Sequence, residues 1–231
     1  MKISAISEDS VLITLADAID ETLPRRIARL CEFIEADDSS DWLVDLVPSY
    51  TTLLVIYDPA RIDFRRVMAH LRRSLQMDEK TAPDNLSGSQ SGQTTREIPV
   101  YYSPESGPDL EWIARENNLS VEDVIDYHTD ATYTVYAMGF APGFAFMGQV
   151  DPAIATPRKD TPRSHVPAGS VGIANRQTAV YPKASPGGWQ LIGKSPVKLF
   201  DPTNLSLLNV GDLVRFRAIT RQQFIDLGGE L

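Results

Sequence analysis

The apolar positions change period several times along the chain, and the changes divide it. Residues 2–16 alternate and then run apolar (Ile3, Ala5, Ile6, then Val11, Leu12, Ile13, Leu15), which predicts a hairpin or two short strands. The spacing then becomes three and four. Leu23, Ile27, Leu30 and Ile34 predict an amphipathic helix over 21–36, with Pro24 in the first turn, where no N–H is needed. Cys31 lies beside that stripe and reads as a packed thiol. Residues 42–47 and 51–57 are β-branched or aromatic and predict two strands, joined by Pro48-Ser49-Tyr50 and stopped by Asp58-Pro59. Phe64, Val67, Met68, Leu71 and Leu75 return to helical spacing beneath a basic face (Arg65, Arg66, Arg72, Arg73) that reads as solvated. The order ββαββα or βαββα predicts a small α+β sandwich, with helices on one face of an antiparallel sheet.

Residues 77–96 break the pattern. They have no aliphatic period and a single Leu among Ser, Gly, Gln and Thr, the composition of a flexible linker. The expected organisation is therefore an N-terminal α+β domain over 1–76, a linker over 77–96 and a second domain over 97–231. In the second, 97–102 predicts a strand and 110–118 a short helix opened by Gly107-Pro108-Asp109. Ser120 and Asp123 form a capping-box variant that starts a helix over 121–129. Residues 132–138 alternate Thr, Val and Tyr as a strand. Short strands follow at 171–174, 178–181, 190–192, 197–200 and 213–216, separated by Gly or Pro, and 220–231 predicts a surface helix. Closely spaced strands without long helices predict a barrel or sandwich and exclude a doubly wound sheet.

Composition narrows the function classes. The 231 residues are 42% hydrophobic and 23% charged, ordinary for a globular protein. A net charge of −9 argues against nucleic acid as a partner. One cysteine rules out an internal disulfide, and three histidines without an H-x-x-x-H pair argue against a catalytic metal. The N-terminus has no apolar signal region and no run reaches membrane-span length, so a cytoplasmic protein is expected. The stretch 139–202 runs against the overall charge. It holds 8 of the 14 Gly, 9 of the 16 Pro and seven Lys/Arg against three Asp, with Phe140, Phe144, Phe146, Tyr181, Trp189 and Phe200 spread through it. A rigid cationic surface in an acidic chain suits a small anionic substrate, a carboxylate or a phosphate.

Several motifs within that stretch could carry chemistry. Gly188 to Ser195 fits G-x-x-x-x-G-K-[ST] letter for letter, yet Pro196 follows at once and Trp189–Ile192 reads as a strand. A phosphate loop needs a helix opening at its lysine. The favoured reading is a β-hairpin holding Gly193 and Lys194, with Lys194 still able to meet a phosphate. Arg158 and Arg163 sit in two Thr-Pro-Arg repeats, where proline stiffens the backbone for bidentate anion binding; pairing with acidic residues of the other domain is the bland alternative. Pro167-Ala-Gly169-Ser170-Val-Gly172 offers a tight turn whose N–H groups could receive an oxyanion. His128, at a helix end beside Asp126 and Asp130, reads first as solvated and second as a proton carrier; His165 lies between the arginines and the turn.

These segments, GFAPGFAFMG, ATPRKDTPR, VPAGSVGIANRQTAVYP and SPGGWQLIGKSPVKLFDP, strongly resemble the KipI family, also called allophanate hydrolase subunit 1 or the 5-oxoprolinase B-subunit. The likeness runs from Ile98 to Arg217, and the N-terminal pattern also fits. It implies a mostly-β, cyclophilin-like barrel as the second domain. It further implies an ATP-dependent 5-oxoprolinase, with ATP and Mg2+ consumed by a complex that includes a KipA-like C-subunit and a LamB/YcsF-like A-subunit. Alternatives within the resemblance are inhibition of a sensor histidine kinase, or a urea- or allophanate-related carboxyltransferase component. Carried over by motif, Arg158, Arg163 and His128 are the implied catalytic residues. The implied substrate or nucleotide contacts are Gly143, Phe144, Pro167, Gly169, Ser170, Gly172, Gln177, Thr178, Tyr181, Gly188 and Trp189, with Gly193 and Lys194 added from the letter match and no metal ligand. Asn175 and Ala179 replace family glycines, Tyr102-Ser103-Pro104 replaces Y-G-G, and neither His165 nor Lys194 matches a fixed family position.

Overall fold

The computed structural model of the chain describes residues 1–20, 22–36, 40–81, 95–203 and 205–231. It divides into two compact units, Met1–Gln93 and Thr94–Leu231.

In the first unit the order is β1 (Lys2–Ala5), β2 (Ser10–Thr14), α1 (Leu23–Glu35), a 3-10 turn at Ser40–Trp42, β3 (Leu43–Pro48), β4 (Thr52–Tyr57) and α2 (Phe64–Thr81). The strands form an antiparallel sheet ordered β1-β2-β4-β3. Both sequence periods do what they predict. Leu23, Ile27, Leu30 and Ile34 of α1 are buried, and along β4 Leu53, Val55 and Tyr57 are buried while the residues between them are half-exposed. These side chains and Val67, Leu71 and Leu75 of α2 make one core, each contributing roughly 1.5–3 kcal/mol by leaving water.

The expected linker is corrected at both ends. The second helix continues to Thr81 because Asp78, fully buried, accepts from Arg26 Nε at 2.6 Å and Arg29 Nε at 2.9 Å and so ties α2 to α1. The next strand already begins at Thr95; residues 82–94 of the expected linker lie outside the described residues.

The second unit runs β5 (Thr95–Val100), α3 (Leu110–Glu116), α4 (Val121–Asp130), β6 (Thr132–Met138), β7 (Ala145–Gly148), β8 (Arg163–Val166), β9 (Ser170–Ala174), β10 (Gln177–Val180), β11 (Ser185–Gly187), β12 (Gln190–Lys194), β13 (Phe200–Asp201), β14 (Leu205–Ser206), β15 (Leu213–Ala218) and α5 (Arg221–Asp226). Seven strands form one sheet ordered β12-β9-β10-β7-β6-β15-β5, antiparallel except for the β15–β5 pair. Its two edges meet where Tyr101 N–H donates to the Lys194 carbonyl (2.8 Å) and Lys194 N–H donates back (3.0 Å). The sheet is thus nearly closed, like a barrel. Gly193 permits the seam, since a Cβ there would stand 2.8 Å from the Tyr101 carbonyl oxygen.

The core inside is Val, Ile, Leu and Tyr from every wall, with Ile113 and Val124 of α3 and α4 closing it. Ser120 and Asp123 make the predicted reciprocal cap of α4. The strand expected over 197–200 is not formed. Only Phe200 pairs, in β13, because the preceding Pro196 has no N–H and the segment lies outside the ladder.

Candidate anion-binding site

Beside the main core a second cluster of apolar side chains fills the space between β7, β8, β10 and β12. Phe144, Val166, Ala174, Ala179, Tyr181, Trp189 and Leu191 form it. Phe144 meets Tyr181 and Trp189 edge-on, with ring centroids 5.3 and 5.7 Å apart, the geometry that aligns a positive ring edge with a negative face. Trp189 is thereby fixed with one face toward the loop 157–162. The Arg158 guanidinium carbon stands over that face, 5.7 Å from the ring centre.

The loop is stitched to the barrel wall at three points. Lys159 N–H donates to the Gly188 carbonyl (2.7 Å), Gln190 Nε2 to the Pro157 carbonyl (3.0 Å), and Arg163 Nη1 to the Trp189 carbonyl (3.3 Å). A buried carboxylate completes the attachment. Asp109, at the start of α3, is 5% exposed and accepts from Arg163 Nη2 at both oxygens (2.7 Å each), from Lys159 Nζ (3.1 Å) and from the Leu191 N–H (2.7 Å). A carboxylate with so many donors is held firmly, and Lys159 and Arg163 are both committed to it, though it offsets only one of their two charges.

Arg158 is different. Among the described residues no carboxylate lies within ion-pair distance of it, and its side chain is exposed. Arg158, Lys159, Asp160 and Thr161 line a pocket of about 410 Å3 whose remaining walls are Trp112, Pro157 and Gln190. Gln190 is 3% exposed, and its Oε1 is buried without a hydrogen-bond partner. Tyr181 belongs to the same neighbourhood. Burial raises its pKa, while the Trp189 N–H and the positive charges of Arg158 and Arg163 act to lower it. A Cβ on Gly187 would collide with the Tyr181 hydroxyl, so glycine is needed there for the ring to stand under the loop.

Arg158, Tyr181, Gly188 and Trp189 therefore come together as expected, with Phe144 behind them. Arg163 reaches the same place, but as a clamped group paired with Asp109 of its own unit, which corrects the expectation of two free arginines gripping one anion. The Pro167–Gly172 turn is corrected as a donor site. Gly169 N–H is taken by the Tyr181 carbonyl (2.7 Å), Ser170 N–H by Pro167 (3.3 Å), and Gly172, in β9, pairs with Ala179 of β10 and Leu191 of β12. Gly193 and Lys194 are corrected as phosphate ligands. They lie in a strand at the seam, and the Lys194 ammonium donates to the Glu230 carbonyl.

His128 is corrected from solvated to fully buried. Its Nδ1 lies 2.7 Å from the Tyr102 hydroxyl and its Nε2 2.9 Å from Thr178 Oγ1, while burial pulls its pKa down to about 3. Thr178, expected at a ligand, is thus engaged in the core. Gln177 lies in β10 opposite Ala174, and Gly143, at φ +80°, packs against Leu199 and Phe200 beside an apolar groove of about 530 Å3. His165 is exposed on β8. Asp109 and Gln190 carry no local motif. Asp109 shows in the sequence only as a helix opener, since its partners are 50 and more residues away.

Compared with known proteins, residues 1–208 match the model of the carboxyltransferase domain, subdomain C and D. A protein from Bacillus subtilis, named as the B-subunit of 5-oxoprolinase, is 38% identical over 229 residues, 96% of this chain and 95% of that one. The chain belongs to the carboxyltransferase subdomain C and D family. Among solved structures, TTHA0988 superposes with a TM-score of 0.76 at 36% identity over 91% of this chain, which spans 40% of that longer one. Kluyveromyces lactis urea carboxylase superposes at 0.71 over 97% of this chain and 22% of its own, but at 18% identity, a likeness of fold alone. Among the described residues no helix is long and apolar enough to cross a membrane.

Proposed function

We propose that this chain is the B-subunit of an ATP-dependent 5-oxoprolinase, which converts 5-oxo-L-proline, ATP and water to L-glutamate, ADP and phosphate. It works in the cytoplasm with a KipA-like C-subunit and a LamB/YcsF-like A-subunit, and it is inactive alone. The relative from Bacillus subtilis, matched over nearly its whole length, supports the reaction. The observation that carries the site is Arg158, unpaired among the described residues and stacked on Trp189 at the mouth of a pocket. The carboxyltransferase alternative is not favoured, since the urea carboxylase likeness is one of fold.

The residues suit the chemistry of a lactam, a poor electrophile that reacts only when held and activated. Arg158 orients the substrate through its carboxylate, Trp189 holds that guanidinium by stacking beneath it, and Asp109 holds the loop in place through Lys159 and Arg163. Activation at the lactam carbonyl belongs to the assembled complex. The test is reconstitution of the three purified proteins with ATP and 5-oxoproline, followed by glutamate release. Glutamate is expected only when this chain is present, and Arg158→Ala is expected to lower kcat/KM about 10- to 100-fold, the worth of a charged hydrogen bond. Glutamate formed equally well without this chain would refute the proposal.

A further inference from the structure

We infer that the pocket beneath residues 157–161 takes the carboxylate end of a small cyclic amide, and that the nucleotide triphosphate is held by another chain of the complex. The inference rests on the 5-oxoprolinase reading and divides its two substrates between separate polypeptides.

Charge decides between the candidates. Of the three cations at 158–163, Lys159 and Arg163 share the one negative charge of Asp109 and Asp160 at the rim offsets a second, for a balance of +1. One guanidinium is left. That matches a singly charged carboxylate, which arginine binds through two parallel N–H groups. A polyphosphate demands several cations together with a row of free backbone N–H groups, as at a helix start or a glycine-rich nest. The described residues offer neither near this pocket: Gln190–Lys194 is a strand whose Lys194 closes the seam, and the Gly169 and Ser170 N–H groups are spent on Tyr181 and Pro167. A volume of about 410 Å3 also lies near the small end of ligand pockets, about 300–1,000 Å3.

Gln190 adds a second, independent sign. Its Nε2 is fixed by the Pro157 carbonyl, so the amide cannot turn over without losing that bond, and Oε1 stays an acceptor without a donor. A buried acceptor of this kind costs free energy until a donor satisfies it. The ring N–H of a lactam is such a donor once a small shift of residues 157–161 opens Oε1 to the pocket, whereas a bare carboxylate or a triphosphate ester brings none. Trp112 gives the ring an apolar wall. The ligand class with a carboxylate, a neutral N–H and a compact apolar ring is a cyclic amide acid.

Kinetics of the reconstituted complex separate the two substrates. Arg158→Ala is expected to raise KM for 5-oxoproline about 10- to 100-fold while KM for ATP stays within about twofold. A raised KM for ATP, or no change in either constant, overturns the inference. Gln190→Met, with folding checked by thermal melting, is expected to abolish an about tenfold preference for 5-oxoproline over its lactone analogue, where a ring oxygen replaces the N–H, the worth of one neutral hydrogen bond. An unchanged preference removes Gln190 from the site.

Failure of the wider reading looks different: the complex with unaltered chain makes no glutamate from 5-oxoproline at all. The pocket is then judged on the isolated chain by tryptophan fluorescence. Saturable quenching by 5-oxoproline that Arg158→Ala removes upholds the carboxylate pocket. Quenching by MgATP alone, or by neither, ends it.

Discussion

Each unit of the chain contains one buried aspartate answering two cations, and the two arrangements serve different ends. Asp78 is fully buried and holds Arg26 and Arg29 of the neighbouring helix, side chains that are 30% and 28% exposed. Around it stand the apolar faces of α1 and α2, and nothing more is built on the pair than the packing of two helices. Asp109 is nearly as buried and holds Lys159 of the 157–162 loop and Arg163, the strand residue that follows it. Fixing that loop at two points leaves Arg158, which adjoins the clamped Lys159, with its charge unspent above Trp189. The same electrostatic device therefore produces rigidity in one unit and a preorganised cation in the other. What differs is whether a third charge shares the clamped segment.

Removing the aspartates gives the largest expected effect. Breaking a buried ion pair strands a charge, at a cost of about 3–5 kcal/mol. Asp78→Asn is expected to lower stability by about that amount in urea unfolding, with KM for 5-oxoproline unchanged per folded molecule. Asp109→Asn is expected to cost a similar amount, since the amide oxygen can keep Arg163 and either Lys159 or the Leu191 N–H but not both, and in addition to raise KM about tenfold as the loop loosens. Should both variants move KM alike, the distinction drawn between the two clamps is wrong.

Acid sharpens the same comparison through a smaller effect. His128 stays neutral in the folded second unit, its pKa pulled from 6.5 to about 3 by burial. Unfolding returns it to its ordinary value, so between those values the unfolded chain binds the extra proton. Its contribution is complete above pH 6.5 and is lost as the pH falls toward 3, by roughly 2 kcal/mol at pH 5. Trp42 reports on the first unit, Trp112 and Trp189 on the second. In Trp→Phe variants that isolate each signal, the second unit is expected to weaken first between pH 6.5 and 5. A first unit that weakens equally over that window would show that His128 does not control it.

Neither clamp was legible in the sequence, for one physical reason. Period and punctuation report local structure, so the α1 stripe, the alternation of β4 and β6 and the Ser120 cap could be read directly. Asp78 could not: a charged residue after the last apolar turn looks like the start of a linker, and only the arginines of α1, 49 and 52 positions earlier, make it helical core. Asp109 could not for the same reason. Within the site, Arg158 and Trp189 were visible because a rigid cationic, aromatic segment is a local property. That Arg163 is consumed, that the 167–172 turn spends its N–H groups on its own strands, and that Lys194 closes a seam are facts of pairing between distant segments. His128 looked solvated because its neighbours in sequence are acidic, while its neighbours in space are Tyr102, Tyr133 and Phe216.

The finest distinction lies in the fork of the arginine. Arg29 reaches Asp78 through Nε and Nη2, and Arg163 holds Asp109 through Nη2 and the Trp189 carbonyl through Nη1, two-nitrogen contacts that one lysine ammonium cannot copy though its charge is the same. Arg29→Lys leaves Arg26 in place and is expected to cost about 0.5–1 kcal/mol, with no kinetic trace. Arg163→Lys is expected to cost a similar amount, because Lys159 and Leu191 N–H still occupy the carboxylate. It also gives up the Nη1 bond to the Trp189 carbonyl, which joins the clamp to the stacking platform. A twofold to fivefold rise in KM for 5-oxoproline at nearly unchanged stability is therefore expected from Arg163→Lys alone, of the order of a weak, partly exposed hydrogen bond. If KM holds while the stability falls, the clamp acts on the fold only, and the position of Arg158 owes more to Trp189 than to Asp109.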